Sequence, residues 1–345
     1  MKIAVVNNCV PFLRGGAEYL AEALMRKLIE HGHQAVLIRV PFRWHPPEQI
    51  LKSMLACRLL RVPNVDRVVA LKFPAYYVPH PNKVLWLLHQ FRQVYDLWGT
   101  PYQDLPDSEL GESIRRAVIR ADDLYLRQAV KIYTNSEVTR DRLKRYNQLE
   151  AEVLHPPLER SDHLICEGYE DYFFYPSRIT ASKRQELAVE AMRHVRSRVR
   201  LVIAGQPETS GELTRIQERI RRWNLRDRVA LIPRFISEEE KASLLSRALG
   251  CLYLAYDEDS YGFVVLESYH ARKPVITCTD SGGTMLLVKE GRTGIVVKPD
   301  PKALAAAMDR LYEDRREAQR LGEAGLDLIR SLDISWRRVV EALTR

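Results

Sequence analysis

The chain has 345 residues, 46% of them hydrophobic and 28% charged, with a formal net charge of +8. That length suits two domains better than one, and that balance excludes a mainly disordered protein. The positive charge favours phosphate-bearing ligands or an anionic surface, but it is spread: 23 Lys/Arg against 18 Asp/Glu in residues 1–165 and 30 against 27 in the remainder. With no Lys/Arg tail and no RNA-reading motif, nucleic acid is not indicated.

The first elements alternate. Ile3–Val6 reads as a strand, too short and too soon polar (Asn7, Asn8) for a signal peptide. Ala17–His31 reads as a helix with Gly32 as its C-cap. Ala35–Val40, Val65–Leu71, Val84–Leu88 and Lys131–Thr134 read as strands; Leu110–Ala129 and Glu137–Tyr146 read as helices, the second capped by Ser136. After a polar connector, Asp162–Glu170, the pattern restarts. Strands are expected at Tyr172–Tyr175, Leu201–Ala204, Val229–Ile232, Cys251–Ala255, Val275–Thr277 and Ile295–Val297. Helices are expected at Arg184–His194, Gly211–Trp223, Glu238–Ala248 and Val264–Ala271. Ser237 with Glu240 reads as a capping box and Asp300-Pro301 as an N-cap with proline at N1. Ser335–Thr344 reads as a short amphipathic helix. Short apolar runs without alternation predict parallel strands buried on both faces, hence two doubly wound α/β domains.

No stretch approaches the ~20 apolar residues of a membrane span. Five cysteines (Cys9, Cys57, Cys166, Cys251, Cys278) form no C-x-x-C pair. Cys251 and Cys278 lie in apolar runs, so buried free thiols in a reducing compartment are expected. The expected location is cytoplasmic or peripheral to a membrane.

Several residues that can carry chemistry fall where strands end, which is where open α/β sheets bind ligands. Gly15 and Gly16 lie between the first strand and the first helix, where a backbone can approach an anion; a plain strand–helix turn is the alternative. His89 ends the strand Val84–Leu88 and could equally be structural. His31-Gly32-His33 straddles a helix cap and reads as no metal pair. Arg178 and Lys183, a forked and a point cation, follow Tyr172–Tyr175 and suit a diphosphate, or form a solvated basic loop. The run from Asp259 through Gly262 to Glu267 joins a strand to a helix. Gly262 permits close approach, Asp259 can hold sugar hydroxyls, and Glu267, read as lying on the first helical turn, can accept two bonds from a ribose diol. Asp257-Glu258-Asp259 could instead hold a metal, but no His or further carboxylate lies near it in sequence. Ser281-Gly282-Gly283 reads as a flexible loop at the same sheet edge. Four such loops are expected to converge on one cleft. There is no G-x-S-x-G elbow, Walker A loop or G-x-G-x-x-G fingerprint.

These residues resemble the GT-B-fold glycosyltransferases, and among them the retaining family 4 type. The matching pieces run in order: Gly15-Gly16-Ala17-Glu18, His89, Thr134-Asn135-Ser136, His155-Pro156-Pro157, Arg178 with Lys183, Ala204-Gly205, Asp259 to Glu267, Lys273-Pro274-Val275, Ser281-Gly282-Gly283 and Thr293-Gly294. The resemblance implies an acceptor-side domain over residues 1–165, a donor-binding domain over 166–332, and a C-terminal helix, 333–345, packing back on the first. It implies transfer of a hexose from a UDP- or GDP-sugar to a saccharide or lipid-linked acceptor in glycan or glycolipid synthesis. Arg178 and Lys183 would grip the diphosphate, Asp259 the sugar and Glu267 the ribose, with His89 contacting the sugar. Gly15, Gly16, Gly205, Tyr261, Gly262, Phe263 and Val264 would line the donor. No metal, cofactor or covalent nucleophile is implied.

Three departures stand out: Asp259 replaces a Glu, Met285-Leu286-Leu287 follow the Gly-Gly loop where a Glu is common, and Gln90 replaces an acidic residue after the histidine. A non-hydrolysing nucleotide-sugar epimerase and a catalytically weak nucleotide-sugar-binding subunit are the alternatives. Aromatics beside cations in Pro41–Pro47 and in Tyr95–Tyr102 predict contact with an anionic membrane surface, or else packing into the domain.

Overall fold

The computed structural model describes residues 1–11 and 15–345. They divide into two compact units, residues 1–159 with 334–345, and residues 160–333.

The first unit is built on six parallel strands: β1 (Lys2–Cys9), β2 (Gln34–Pro41), β3 (Arg67–Lys72), β4 (Lys83–His89), β5 (Lys131–Thr134) and β6 (Glu152–Val153), in the order β2-β1-β3-β4-β5-β6. Ile3–Val6, Val68–Leu71 and Val84–Leu88 are buried, as apolar runs covered on both faces must be. Between the strands run α1 (Gly16–Glu30), α2 (Gln49–Leu59), α3 (Glu109–Tyr125) and α4 (Glu137–Asn147). Ser136 caps α4 by accepting from the Thr139 amide at 3.1 Å. α1 ends at His31, whose Nδ1 lies 2.8 Å from the Lys27 carbonyl; Gly32 follows at φ +84°, one residue beyond the cap position expected for it. In the two aromatic loops Phe42 is buried and packs on Trp44 and edge-on to Phe73, Tyr95 is buried, and Trp98 lies under the Arg115 guanidinium. Trp44, Trp98 and Tyr102 are half-buried, and Arg43 and His45 are exposed.

The second unit carries β7 (Tyr172–Pro176), β8 (Arg200–Ala204), β9 (Val229–Ile232), β10 (Gly250–Leu252), β11 (Val275–Cys278) and β12 (Gly294–Val297), all parallel, in the order β12-β11-β10-β7-β8-β9. Its helices are α5 (Gln185–Ala191), α6 (Ser210–Arg222), α7 (Glu238–Arg247), α8 (Phe263–His270), α9 (Pro301–Glu313) and α10 (Arg315–Ser331). Asp300 caps α9 through two amides with Pro301 at N1. At α7 only half of the expected box forms. Ser237 accepts from the Glu240 amide at 3.1 Å, but the Glu240 carboxylate turns to Arg234. β10 ends three residues short of the expected strand because the Leu254 amide donates to the Tyr175 hydroxyl instead of a neighbouring strand. Cys57, Cys251 and Cys278 are free and buried, and burial pushes each thiol up to about 12, so none is reactive.

The chain then returns. α11 (Trp336–Thr344), capped by Ser335, belongs to the first unit. Trp336 meets Trp86 of β4 edge-to-face and donates from its indole to the Leu158 carbonyl at 2.8 Å. Arg67 of β3 donates to the Leu343 carbonyl at 2.7 Å.

Candidate active site

In the second unit the strand order reverses between β7 and β10. Crossovers on either side of that point lie on opposite faces, leaving a crevice beyond the carboxyl ends. Lys183 closes a short 3₁₀ turn after β7. Its ammonium donates to the Tyr253 hydroxyl at 3.0 Å and pairs with Glu258, to which the same hydroxyl donates at 2.8 Å. Burial, with Glu258 beside it, pushes the Tyr253 phenol well above its ordinary range, so it stays a donor. Arg184, next in the chain, adopts φ +55° and makes two bonds to Asp280, at 2.9 and 2.8 Å, and one to the Leu254 carbonyl at 2.6 Å. It thereby clamps the loop after β10 to the loop after β11.

The Ser281-Gly282-Gly283 loop is accordingly packed, not flexible. A Cβ on Gly282, at φ +55°, would meet the Asp257–Glu258 backbone at 2.7 Å, and one on Gly283 the Ser260 backbone at 2.6 Å. The Gly283 amide donates to the Glu258 carbonyl at 2.7 Å. These glycines serve close approach of two loops. Gly262, at φ +75°, lies where a Cβ would touch the Tyr253 ring at 2.5 Å, and it opens α8. Gly205 sits just as tightly after β8, a Cβ there falling 1.9 Å from the Ser177 carbonyl. Asp259 and Tyr261 are buried in the same loop, and Phe263 and Val264 are the first two residues of α8, half-buried.

Glu267 is the fifth residue of α8, so it opens the second turn, a correction to the first-turn position read from sequence. It is buried. One carboxylate oxygen accepts from Lys241 at 2.6 Å; the other, Oε2, is buried and has no donor among the described residues. Although burial acts to lower it, the Lys241 ammonium is held above its ordinary range by Glu267 and Glu238. Arg178 stands apart from Lys183's partners. Its guanidinium is largely exposed and lies 3.8 Å from Glu208. Where a Glu is common after the Gly-Gly loop, Leu287 is buried in the core and Met285 and Leu286 are half-buried.

In the first unit His89 ends β4, and its Nδ1 lies 2.6 Å from the Gln90 carbonyl. A carbonyl only accepts, so Nδ1 is the donor in this contact. Gln90 is buried, its amide donating to Asn147, which donates in turn to the Tyr95 hydroxyl (3.3 Å) and Asp123 (2.8 Å). The neutral residue in place of an acid is thus part of a closed hydrogen-bond network. Gly15 is extended, and its amide donates to Glu18 at 3.0 Å; Glu18 also pairs with Lys72 at 2.9 Å. No group of three or more His, Cys, Asp or Glu suited to a metal occurs among the described residues, and no described helix is long and apolar enough to cross a membrane.

Sequence reasoning missed Arg184, Tyr253 and Lys241. The Glu238–Lys241 and Tyr253–Glu258 spacings are local; the contacts of Lys241 with Glu267, of Arg184 with Asp280 and of Tyr253 with Lys183 join residues far apart in the chain.

Residues 161–327 match the family model for glycosyl transferases group 1. The matched stretch coincides with the unit that carries Lys183, Glu258 and Glu267. Over 223 residues, 57% of this chain, the sequence is 30% identical to alpha-D-kanosaminyltransferase of Streptomyces kanamyceticus. The match spans about half of that relative, 55% of its length. The fold matches sucrose-phosphate synthase of Thermosynechococcus elongatus at a TM-score of 0.81 and 19% identity, covering 99% of this chain and 97% of that one. HepE of Anabaena in complex with UDP and glucose matches at 0.74 and 15%, covering 99% and 98%. The architecture, two parallel six-stranded sheets with helices, is that of GT-B glycosyltransferase structures.

Proposed function

We propose that the protein transfers a hexosyl group from a nucleoside diphosphate sugar, of uridine or guanosine, to a hydroxyl of a saccharide or lipid-linked acceptor, with retention at the anomeric carbon, as a family 4 type enzyme. The observation that carries this is the buried Oε2 of Glu267, without a donor among the described residues, in the same unit as the Lys183–Glu258 pair and within the stretch that matches the glycosyl transferases group 1 model. A buried acceptor without a donor costs about 1–3 kcal/mol, which a ribose hydroxyl removes. Lys183 exchanges Glu258 for the diphosphate, with Arg178 as the second cation, and the start of α8 adds its N-terminal potential. Asp259 accepts from sugar hydroxyls, and His89 contacts the sugar. Gly15 and Gly16 line the phosphate. The C1–oxygen bond to phosphate breaks while the acceptor oxygen bonds C1 on the same face, and the leaving diphosphate takes the acceptor proton. Fixed cations stabilise that leaving group, so no divalent metal is required.

The test is a thermal-shift panel of UDP, GDP, ADP and their sugars, followed by assignment of the product's anomeric configuration. At a hundredfold excess over Kd the matched nucleotide adds about 2.7 kcal/mol. Glu267→Gln removes most of that gain. Absence of stabilisation by every nucleotide, or an inverted product, refutes the reading.

A further inference from the structure

Charge outside the site concentrates in one segment. Residues 193–234 hold eleven arginines against four carboxylates, Glu208, Glu212, Glu218 and Asp227, a net +7 in a chain whose total is +8. The fold gathers most of these arginines at the amino-terminal ends of β8 and β9, the end of the sheet opposite to Lys183 and Glu258. Arg196 and Arg198 lie in the turn between α5 and β8, Arg200 opens β8, Arg221 and Arg222 end α6, and Arg226 lies in the turn into β9. Arg228 holds the two turns together, donating to the carbonyls of Val195 (3.1 Å), Ser197 (2.8 Å) and Val199 (3.1 Å).

Part of this charge has a local account. Arg215 and Arg219 pair with Glu186, and Arg219 also with Glu190. The carboxyl end of α6 itself favours cations. The helix end accounts for Arg221 and Arg222 in its last turn, and Asp309, which accepts from the Arg196 amide at 3.0 Å, stands beside Arg196; Arg198, Arg200 and Arg226 have neither account. All six are exposed, and among the described residues no carboxylate forms an ion pair with any of their guanidinium groups. Like charges gathered without counter-charges repel one another, which an apposed anionic surface reverses. Beside them, α6 and the edge strand β9 enclose a cavity of about 420 Å³, with Arg221 and Arg226 on its wall and Ile220, Val229 and Leu231 among its lining. The guanidinium groups of Arg193 and Arg219 lie over the Trp223 ring at 4.5 and 5.7 Å.

We propose that this face of the second unit docks on an anionic membrane surface, the cavity receiving a phosphate headgroup between Arg221 and Arg226. The inference is independent of the donor chemistry and uses the opposite end of the sheet.

The test is co-sedimentation of the full chain with phosphatidylcholine vesicles, with and without phosphatidylglycerol. Binding is expected to the anionic vesicles alone and to fall as salt rises. Each basic residue near such a surface is worth about fivefold in partition, so Arg196→Gln, Arg221→Gln and Arg226→Gln combined lower it roughly a hundredfold. The triple variant's melting temperature and its response to UDP and GDP stay as in the wild type, which separates this surface from the donor site. No binding to anionic vesicles at low salt overturns the proposal, as does undiminished binding by the triple variant. Displacement from the vesicles by a single-stranded oligonucleotide at equal charge also overturns it, in favour of nucleic acid.

Discussion

Lys241→Met tests whether Glu267 is held as a charged, pre-aimed ligand. Lys241 touches two carboxylates, Glu267 at 2.6 Å and Glu238 at 2.9 Å. The Lys241 and Glu267 side chains are only 16% and 9% exposed, whereas Glu238 is 42% exposed and readily hydrated. Methionine fills the same space but strands the Glu267 charge. Removing one partner of a buried pair costs about 3–5 kcal/mol, and the partial exposure of Lys241 places this case near the lower figure. About 3 kcal/mol lowers the melting temperature of a domain this size by roughly 6–12 °C. Removing both charges, Lys241→Met with Glu267→Gln, restores at least half of the loss, because no ion is then left without a partner. Glu238→Gln moves the melting temperature little. Thermal melts of the four proteins decide the matter, with nucleotide titrations of each. A Lys241→Met variant within about 2 °C of wild type, or a double variant no better than the single one, refutes the account of Glu267 as an ion held by Lys241.

Other expectations follow from the same geometry. Lys183→Ala and Arg178→Ala each lower turnover roughly 10²–10³-fold, measured as kcat on folded protein. Glu258→Gln, which removes Lys183's resident carboxylate, tightens nucleotide binding in the same titration. Gly262→Ala places a Cβ 2.5 Å from the Tyr253 ring at φ +75°; strain of about 1–3 kcal/mol and a displaced Tyr253 lower both melting temperature and turnover. Asp122 of α3 is fully buried, and burial pushes its carboxyl up to about 7, opposed by bonds from the hydroxyls of Tyr77 (2.6 Å), Tyr95 (2.8 Å) and Tyr76 (3.0 Å). Its folded value stands above the ordinary 3.8, so its contribution is fully present below about pH 4 and is lost as pH rises through about 7. Melting temperatures measured from pH 5 to 8 fall in the wild type and flatten in Asp122→Asn; an unchanged slope in that variant sinks the assignment.

What the sequence made legible was local. Ser136 and Asp300 announce helices because a cap's chemistry sits within three residues of the amides it serves. The central strands were legible because their apolar runs are buried on both faces; the edge strands β2 and β9 are apolar but only partly covered. α2 was not: Glu48 gives it no side-chain cap, and Leu51, Leu55 and Leu59, four apart, face solvent at 38%, 58% and 62% exposure. The direction of an aromatic is likewise set by tertiary packing, as Phe42 shows by turning into the core. At the site, Lys183 and Gly262 could be picked out because they punctuate strand–helix junctions, and Glu267 because it follows Gly262 near the start of α8. Their partners could not, since Tyr253, Glu258 and Lys241 reach them from 70, 75 and 26 residues away in the chain. Arg184, mistaken for the first residue of a helix, is the positive-φ hinge before it.

The return of α11 to the first unit sets an order of events during synthesis. Residues 160–333 are contiguous, so that unit has all its parts as soon as its last helix emerges. The first unit, although made first, lacks the cover over Trp86 and the carbonyl that Arg67 binds until residues 334–345 appear. Domains generally fold in the order they are made. Here the earlier one waits for the later, leaving an apolar flank on β4 open to chaperones, and to aggregation, for the whole time the second unit is being translated.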